Sequence, residues 1–214
     1  MPPPLRYLAL GDSYTIGEEV EASERWPAQL CTYLEARGLA VSAPVYVASS
    51  GWTTDELADA VAASALMAPF DLVTLLIGVN NQYRGRSADE YRPQCAGLIE
   101  EAMALAGHRP QRVLLVSIPD YGATPHGQRR DPTQIAEQLE AFNAINRRLA
   151  TAYGTAYADV FALSQRARAD PELVASDGLH PSGLMYTQWV AEAIGPAVWA
   201  LLEAAGVQAP GPGD

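Results

Sequence analysis

The chain has 214 residues, 49% of them hydrophobic, and carries a formal net charge of −11. That is enough apolar material for one sizeable core, and the charge argues against nucleic acid and anionic membrane surfaces, which require a basic footprint. Arginine supplies every strongly basic side chain and lysine is absent, which excludes a lysine nucleophile, a lysine Schiff base and a P-loop.

The chain opens with a proline-rich stretch, "MPPPL", and its first four residues read as a short frayed tail. "RYLALG" (6–11) reads as a strand that stops at Gly-Asp-Ser. "RWPAQLCTYLEARG" (25–38) reads as a helix ending at Gly38, and "APVYVASS" (43–50) as a second strand. "TTDELADAVAASAL" (53–66) starts on Thr and Asp and continues with helix formers. "DLVTLLIG" (71–78) is a continuous apolar run, the mark of a strand buried on both faces. The segment 87–107 has Ser87 followed three positions later by Glu90, a capping-box pattern, and runs as a helix to Gly107.

"RVLLVSIPD" (112–120) is the fourth strand. The segment 131–154 is a long helix with Pro132 at its start and Gly154 just past its end. "TAYADV" (155–160) is a weak fifth strand, "ALSQRARA" (162–169) a short helix, and 182–206 a closing helix interrupted at Gly195-Pro196. The Pro/Gly-rich end, 208–214, reads as a second short tail. Cys31 and Cys95 fall in helical segments outside any C-x-x-C pair and read as buried small hydrophobes.

With no linker in the middle, 1–214 reads as a single domain. No signal-peptide pattern and no long apolar run appear, so the expectation is a cytoplasmic protein without a transmembrane segment. Apolar strands alternating with helices imply an α/β fold, a doubly wound parallel sheet of about five strands with helices on both faces. Such sheets bind ligands beyond the carboxyl ends of their strands. Ser13, Gly51, Asn80 and the loop "IPDYGATP" all follow strand ends.

Chemistry concentrates in four places: "GDS", "SSGW", "GVNNQY" and, near the C-terminus, "SDGLHPS" with Asp177 and His180. A serine nucleophile needs a base, and the base needs an orienting group. Asp177 and His180 are three positions apart in a Gly/Pro-containing loop, which lets the carboxylate curl back to Nδ1 and leaves the other ring nitrogen for Ser13. As a metal pair the two lack a third ligand. His126 in "TPHGQRRD" reads as a solvated loop residue, with a place in the substrate pocket as its alternative; Arg129 and Arg130 read as a solvated face, with a carboxylate clamp as theirs; and Trp52 reads as either core or pocket wall.

These residues resemble the SGNH (GDSL-type) hydrolases, whose signature blocks occur here in order between residues 7 and 183: "GDSYTIGE", "SSGWTT", "GVNN" and "DGLHPS". The resemblance implies a flavodoxin-like three-layer α/β/α sandwich and a serine esterase. Its catalytic groups would be Ser13, Asp177 and His180, and its oxyanion hole Ser13, Gly51 and Asn80. No metal and no cofactor are implied, and the partner is a small-molecule ester with a small or medium acyl group. An acyltransferase or carbohydrate deacetylase using the same triad, or a non-catalytic ligand-binding α/β module, are the alternatives. Oligomeric state is left open. Two letters depart from the family: Tyr14 stands where Leu is frequent, and Asn81 where the third block usually has Asp. The second departure leaves that loop's hydrogen bonding open.

Overall fold

Five consecutive buried residues, Tyr7–Gly11, form strand β1 at the middle of the molecule. The computed structural model describes residues 3–207, so the tail expected at 208–214 lies outside the described residues. Around β1 the sheet is parallel throughout, in the order β2-β1-β3-β4-β5. The other strands are β2 (Val45–Ala48), β3 (Leu72–Leu76), β4 (Val113–Val116) and β5 (Ala156–Ala158). The central strands β1, β3 and β4 are buried at every position, as their unbroken apolar runs require. At the edges burial is partial, and β2 hides only Val47. The chain runs from β1 outward to β2, then crosses back to place β3 on β1's other side. This reversal opens a crevice past the strand ends. Register makes the crevice level, because Gly11 pairs with both Ala48 and Leu76.

Helices cover both faces. In chain order they are α1 (Ser13–Ile16), α2 (Trp26–Glu35), α3 (Thr54–Ala63), α4 (Val79–Tyr83), α5 (Ala88–Leu105), α6 (Pro125–Gln128), α7 (Pro132–Tyr153), α8 (Phe161–Ser164), α9 (Gly183–Trp189) and α10 (Gly195–Ala204). α2 packs with α9 and α10 on one side, while α3, α5 and α7 pack in a row on the other. The result is the expected three-layer α/β/α sandwich, with Trp26, Trp189, Tyr91 and Tyr186 among its largest buried side chains. Among the described residues, no helix is long and apolar enough to cross a membrane. Cys31 and Cys95 are unpaired, and burial pushes both thiols up to about 12.

Local chemistry sets the helix ends. Thr53 and Glu56 cap α3 reciprocally. Asp131 caps α7 by accepting from the Gln134 N–H at 3.0 Å, and Gly154 closes it in a left-handed turn. At α5 only half of the expected box forms. Ser87 accepts from the Glu90 N–H at 3.2 Å, but the Glu90 carboxylate turns to Arg86, 3.4 Å away. The interruption expected at Gly195-Pro196 takes the form of a π turn over Val190–Ile194. Pro196 has no N–H to donate to the Glu192 carbonyl and its ring crowds that oxygen, so a wider turn before it relieves the clash.

Candidate active site

The first strand ends in a turn that only small groups can make. A Cβ on Gly11 would lie 2.1 Å from Thr15 Oγ1 and 2.4 Å from the Leu76 carbonyl oxygen. Next comes Asp12, which caps α1 by accepting from the Tyr14 N–H at 3.0 Å. The capping job therefore belongs to Asp12, and Ser13 is free at the first helical position. Burial pushes the Asp12 carboxyl up to about 8, with the Tyr14 N–H pulling the other way.

The imidazole that meets Ser13 comes from a loop 167 positions further along the chain. The loop before α9 is closed by the Ala175 N–H donating to the His180 carbonyl at 2.8 Å and by a bridge between Val174 and Pro181. Inside it, Asp177 Oδ1 accepts from the N–H groups of Leu179 (2.9 Å) and His180 (3.0 Å), which aims Oδ2 at the ring. With its proton on Nδ1, His180 donates to Asp177 Oδ2 at 2.6 Å, and its Nε2 stands 3.0 Å from Ser13 Oγ. Burial is the largest single influence on the Asp177 carboxyl and raises it. The hydrogen bonds from the His180 ring and the two backbone N–H groups together outweigh burial and hold it below the ordinary carboxylate range. Tyr14 walls the imidazole, with ring centroids 5.7 Å apart.

Gly51 and Asn80 face the same space from the β2 and β3 ends. Gly51 has φ 81° and turns its carbonyl to Arg84 Nη2 at 2.5 Å. Among the described residues, no acceptor takes the backbone N–H of Ser13 or of Gly51. Asn80 Nδ2 donates one hydrogen to the Trp52 carbonyl at 2.9 Å, which fixes the amide and leaves the second hydrogen available. Asn81, one residue on, is fully buried and turned away: its Oδ1 accepts from the Thr54 N–H at 3.1 Å and its Nδ2 donates to Thr54 Oγ1 at 2.7 Å. Thr54 in turn donates to Gln94 Oε1 at 2.5 Å. An Asp at 81 would compete with Gln94 for that single hydroxyl proton, so Asn81 and Gln94 are matched. This is the bonding that the sequence left open.

Four of the five expected site residues, Ser13, Gly51, Asn80 and His180, border one cleft of about 280 Å³, and the fifth, Asp177, stands behind His180. Tyr14, Glu18, Ser50, Val79, Tyr83, Tyr121 and Leu179 complete its walls. The sequence reading assigned none of these to the site, although all of them lie inside the stretches quoted there. His126 is not a solvated loop residue. It is half-buried in α6, whose packing beside Tyr83 withdraws the ring from water, and its backbone N–H donates to the Gly178 carbonyl at 2.9 Å, bracing the Asp177 loop. Arg129 and Arg130 are exposed, as expected, with the Arg130 guanidinium 4.3 Å above the Tyr83 ring. Trp52 is partly buried against the core. No group of three or more His, Cys, Asp or Glu side chains among the described residues could hold a metal ion.

Solved structures with this fold include several esterases. The chain is similar to a lipase/acylhydrolase from Enterococcus faecalis at 21% identity and a TM-score of 0.69, covering 96% of this chain and 99% of that one. It is similar to a variant of Axe2, an acetyl xylan esterase from Geobacillus stearothermophilus, at 20% identity and a TM-score of 0.70, covering 91% and 94%. The SGNH-hydrolase family esterase AlinE4 gives 24% identity and a TM-score of 0.65, covering 96% and 95%. A search of the curated proteins finds no match. The sequence model of the GDSL-like lipase/acylhydrolase family matches residues 9–188, from β1 through most of α9. On that match the chain belongs to the GDSL-like lipase/acylhydrolase family, a family of carboxylic ester hydrolases.

Proposed function

We propose that the protein is a serine esterase that hydrolyses esters of small or medium acyl groups through an acyl-enzyme on Ser13. The observation that carries this reading is the relay from Asp177 Oδ2 to His180 Nδ1 at 2.6 Å and from His180 Nε2 to Ser13 Oγ at 3.0 Å. Ser13 Oγ attacks the ester carbonyl as His180 Nε2 takes its proton. Asp177 holds the imidazole in the required tautomer and stabilises its charge. The tetrahedral oxyanion sits against the Ser13 N–H, the Gly51 N–H and the second hydrogen of Asn80 Nδ2, donors set in place before charge develops. Its collapse breaks the ester C–O bond, and His180 returns the proton to the leaving alkoxide. Water then repeats the sequence on the acyl-enzyme, releasing the acid and regenerating Ser13.

A cleft of about 280 Å³ supports a modest substrate, since pockets for drug-sized ligands begin at about 300 Å³. The test is a panel of p-nitrophenyl esters from acetyl to palmitoyl, with Ser13→Ala as the paired variant. Wild type turns over at least the short esters, Ser13→Ala retains the fold by circular dichroism and loses the activity, and a fluorophosphonate probe labels Ser13 alone. A folded Ser13→Ala protein keeping more than a few per cent of the rate would overturn the nucleophile assignment.

A further inference from the structure

We propose that Glu18 reads the alcohol half of the ester, favouring a positively charged alcohol and disfavouring an anionic one. The inference rests on the esterase reading above. In that reaction His180 Nε2 must hand its proton to the leaving oxygen, so this oxygen lies within hydrogen-bond reach of Nε2. Glu18 Oε2 stands 3.7 Å from the same nitrogen. Whatever group hangs on the leaving oxygen therefore passes the Glu18 carboxylate.

The carboxylate is held in place. Gly17 turns the chain back at φ 64°, the Glu18 N–H donates to the Ser13 carbonyl at 3.1 Å, and Ser50 Oγ donates to Oε2 from the loop after β2. Among the described residues no arginine lines the cleft, and Arg25, whose stem lies against Gly17, sets its guanidinium over the Tyr46 ring at 6.0 Å. Arg84 is engaged by the Gly51 carbonyl and by Glu56 at 3.1 Å, and Arg130 lies on Tyr83. Glu19 adds a second anion beside the Asp177 loop, accepting from Ser176 Oγ at 2.8 Å. Since the Glu18 side chain is 37% exposed, its field is damped by water but not abolished.

The experiment compares kcat/KM for three acetate esters of similar size: that of choline, that of its uncharged carbon isostere neohexyl alcohol, and that of a hydroxy-carboxylate. Wild type should rank them cation, neutral, anion, with about tenfold per step, or about 1.4 kcal/mol. Glu18→Gln should bring the three within about threefold, and Glu18→Arg should invert the order. These are ratios within one protein, so a general change in activity cancels. Added salt should narrow the wild-type ranking. Equal rates on all three esters, or a ranking that survives in Glu18→Gln, overturns the proposal, as does a preference for an uncharged glycerol ester over the choline ester. If the neutral ester is cleaved in a Ser13-dependent manner without the charge ranking, only this inference falls. If no ester in either panel is cleaved, the esterase reading falls and takes this one with it.

Discussion

Asn80 and Asn81 share a side chain and differ in everything around it. One amide faces the cleft beside Ser13 and Gly51, and the next is buried and closed on Thr54. Asn80→Ala is expected to lower kcat by about a hundred- to a thousandfold, on the order of 2.7–4 kcal/mol, with little change in KM. In the proposed mechanism this donor is aimed at charge that exists only in the transition state. Asn81→Ala strands the buried Thr54 N–H and should cost about 1–3 kcal/mol of stability, read as a lower melting temperature, with a smaller effect on kcat. Steady-state kinetics and thermal melts on both variants check the pair; the reverse pattern would shift the register of this block by one residue. The choice of Asn80 over Asn81 comes from the family resemblance, whose third block places an asparagine two residues after the glycine matched by Gly78. Asn81's partner was not legible, because it lies 27 residues away on another helix. Glu18 was invisible for a similar reason. Its nearness to His180 follows from α1 being a single turn that Gly17 reverses, and no local pattern encodes that distance.

Among the elements, α1 carries an internal conflict. Its cap is an aspartate, which suits a helix N-terminus as an anion, yet the site is wholly buried and favours the neutral acid. Burial wins, and the folded-state value of about 8 stands above the ordinary 3.8. The folded protein therefore binds a proton that the unfolded chain releases. The stabilisation is complete below about pH 4, declines as pH rises, and is exhausted above about pH 8, a span on the order of 5 kcal/mol. Asp12→Asn keeps an oxygen for the Tyr14 N–H and has no proton to lose. Its stability relative to wild type should therefore rise between about pH 5 and pH 8, measured by urea melts across that range. A constant difference would mean that Asp12 is ionised in the folded protein. The long helices were legible to within a few residues because periodicity and caps mark them. The single-turn helices α1, α4 and α6 were not, since a turn of four or five residues shows no period. Gly78 shows what the sequence does encode there: at φ 125°, with no room for a Cβ against the Tyr91 ring 2.7 Å away, it turns β3 into α4.

At the scale of the whole molecule, the doubly wound sheet was readable because its buried strands leave unbroken apolar runs between helices. The walls of the cleft were not, because Tyr83 and Tyr121 come from separate segments that meet only after folding, with ring centroids 5.9 Å apart. These walls bound the substrate. A cleft of about 280 Å³ should favour short acyl chains, so acetyl or butyryl p-nitrophenyl esters should exceed the decanoyl ester in kcat/KM. A faster decanoyl ester would reveal a tunnel between helix ends. The relay itself joins residues 167 positions apart, Ser13 from the first strand's end and His180 from the loop before α9. Under the proposed mechanism, a fragment that holds the serine turn without this loop has no acceptor for the Ser13 proton, so ester cleavage would report a chain present across that whole span.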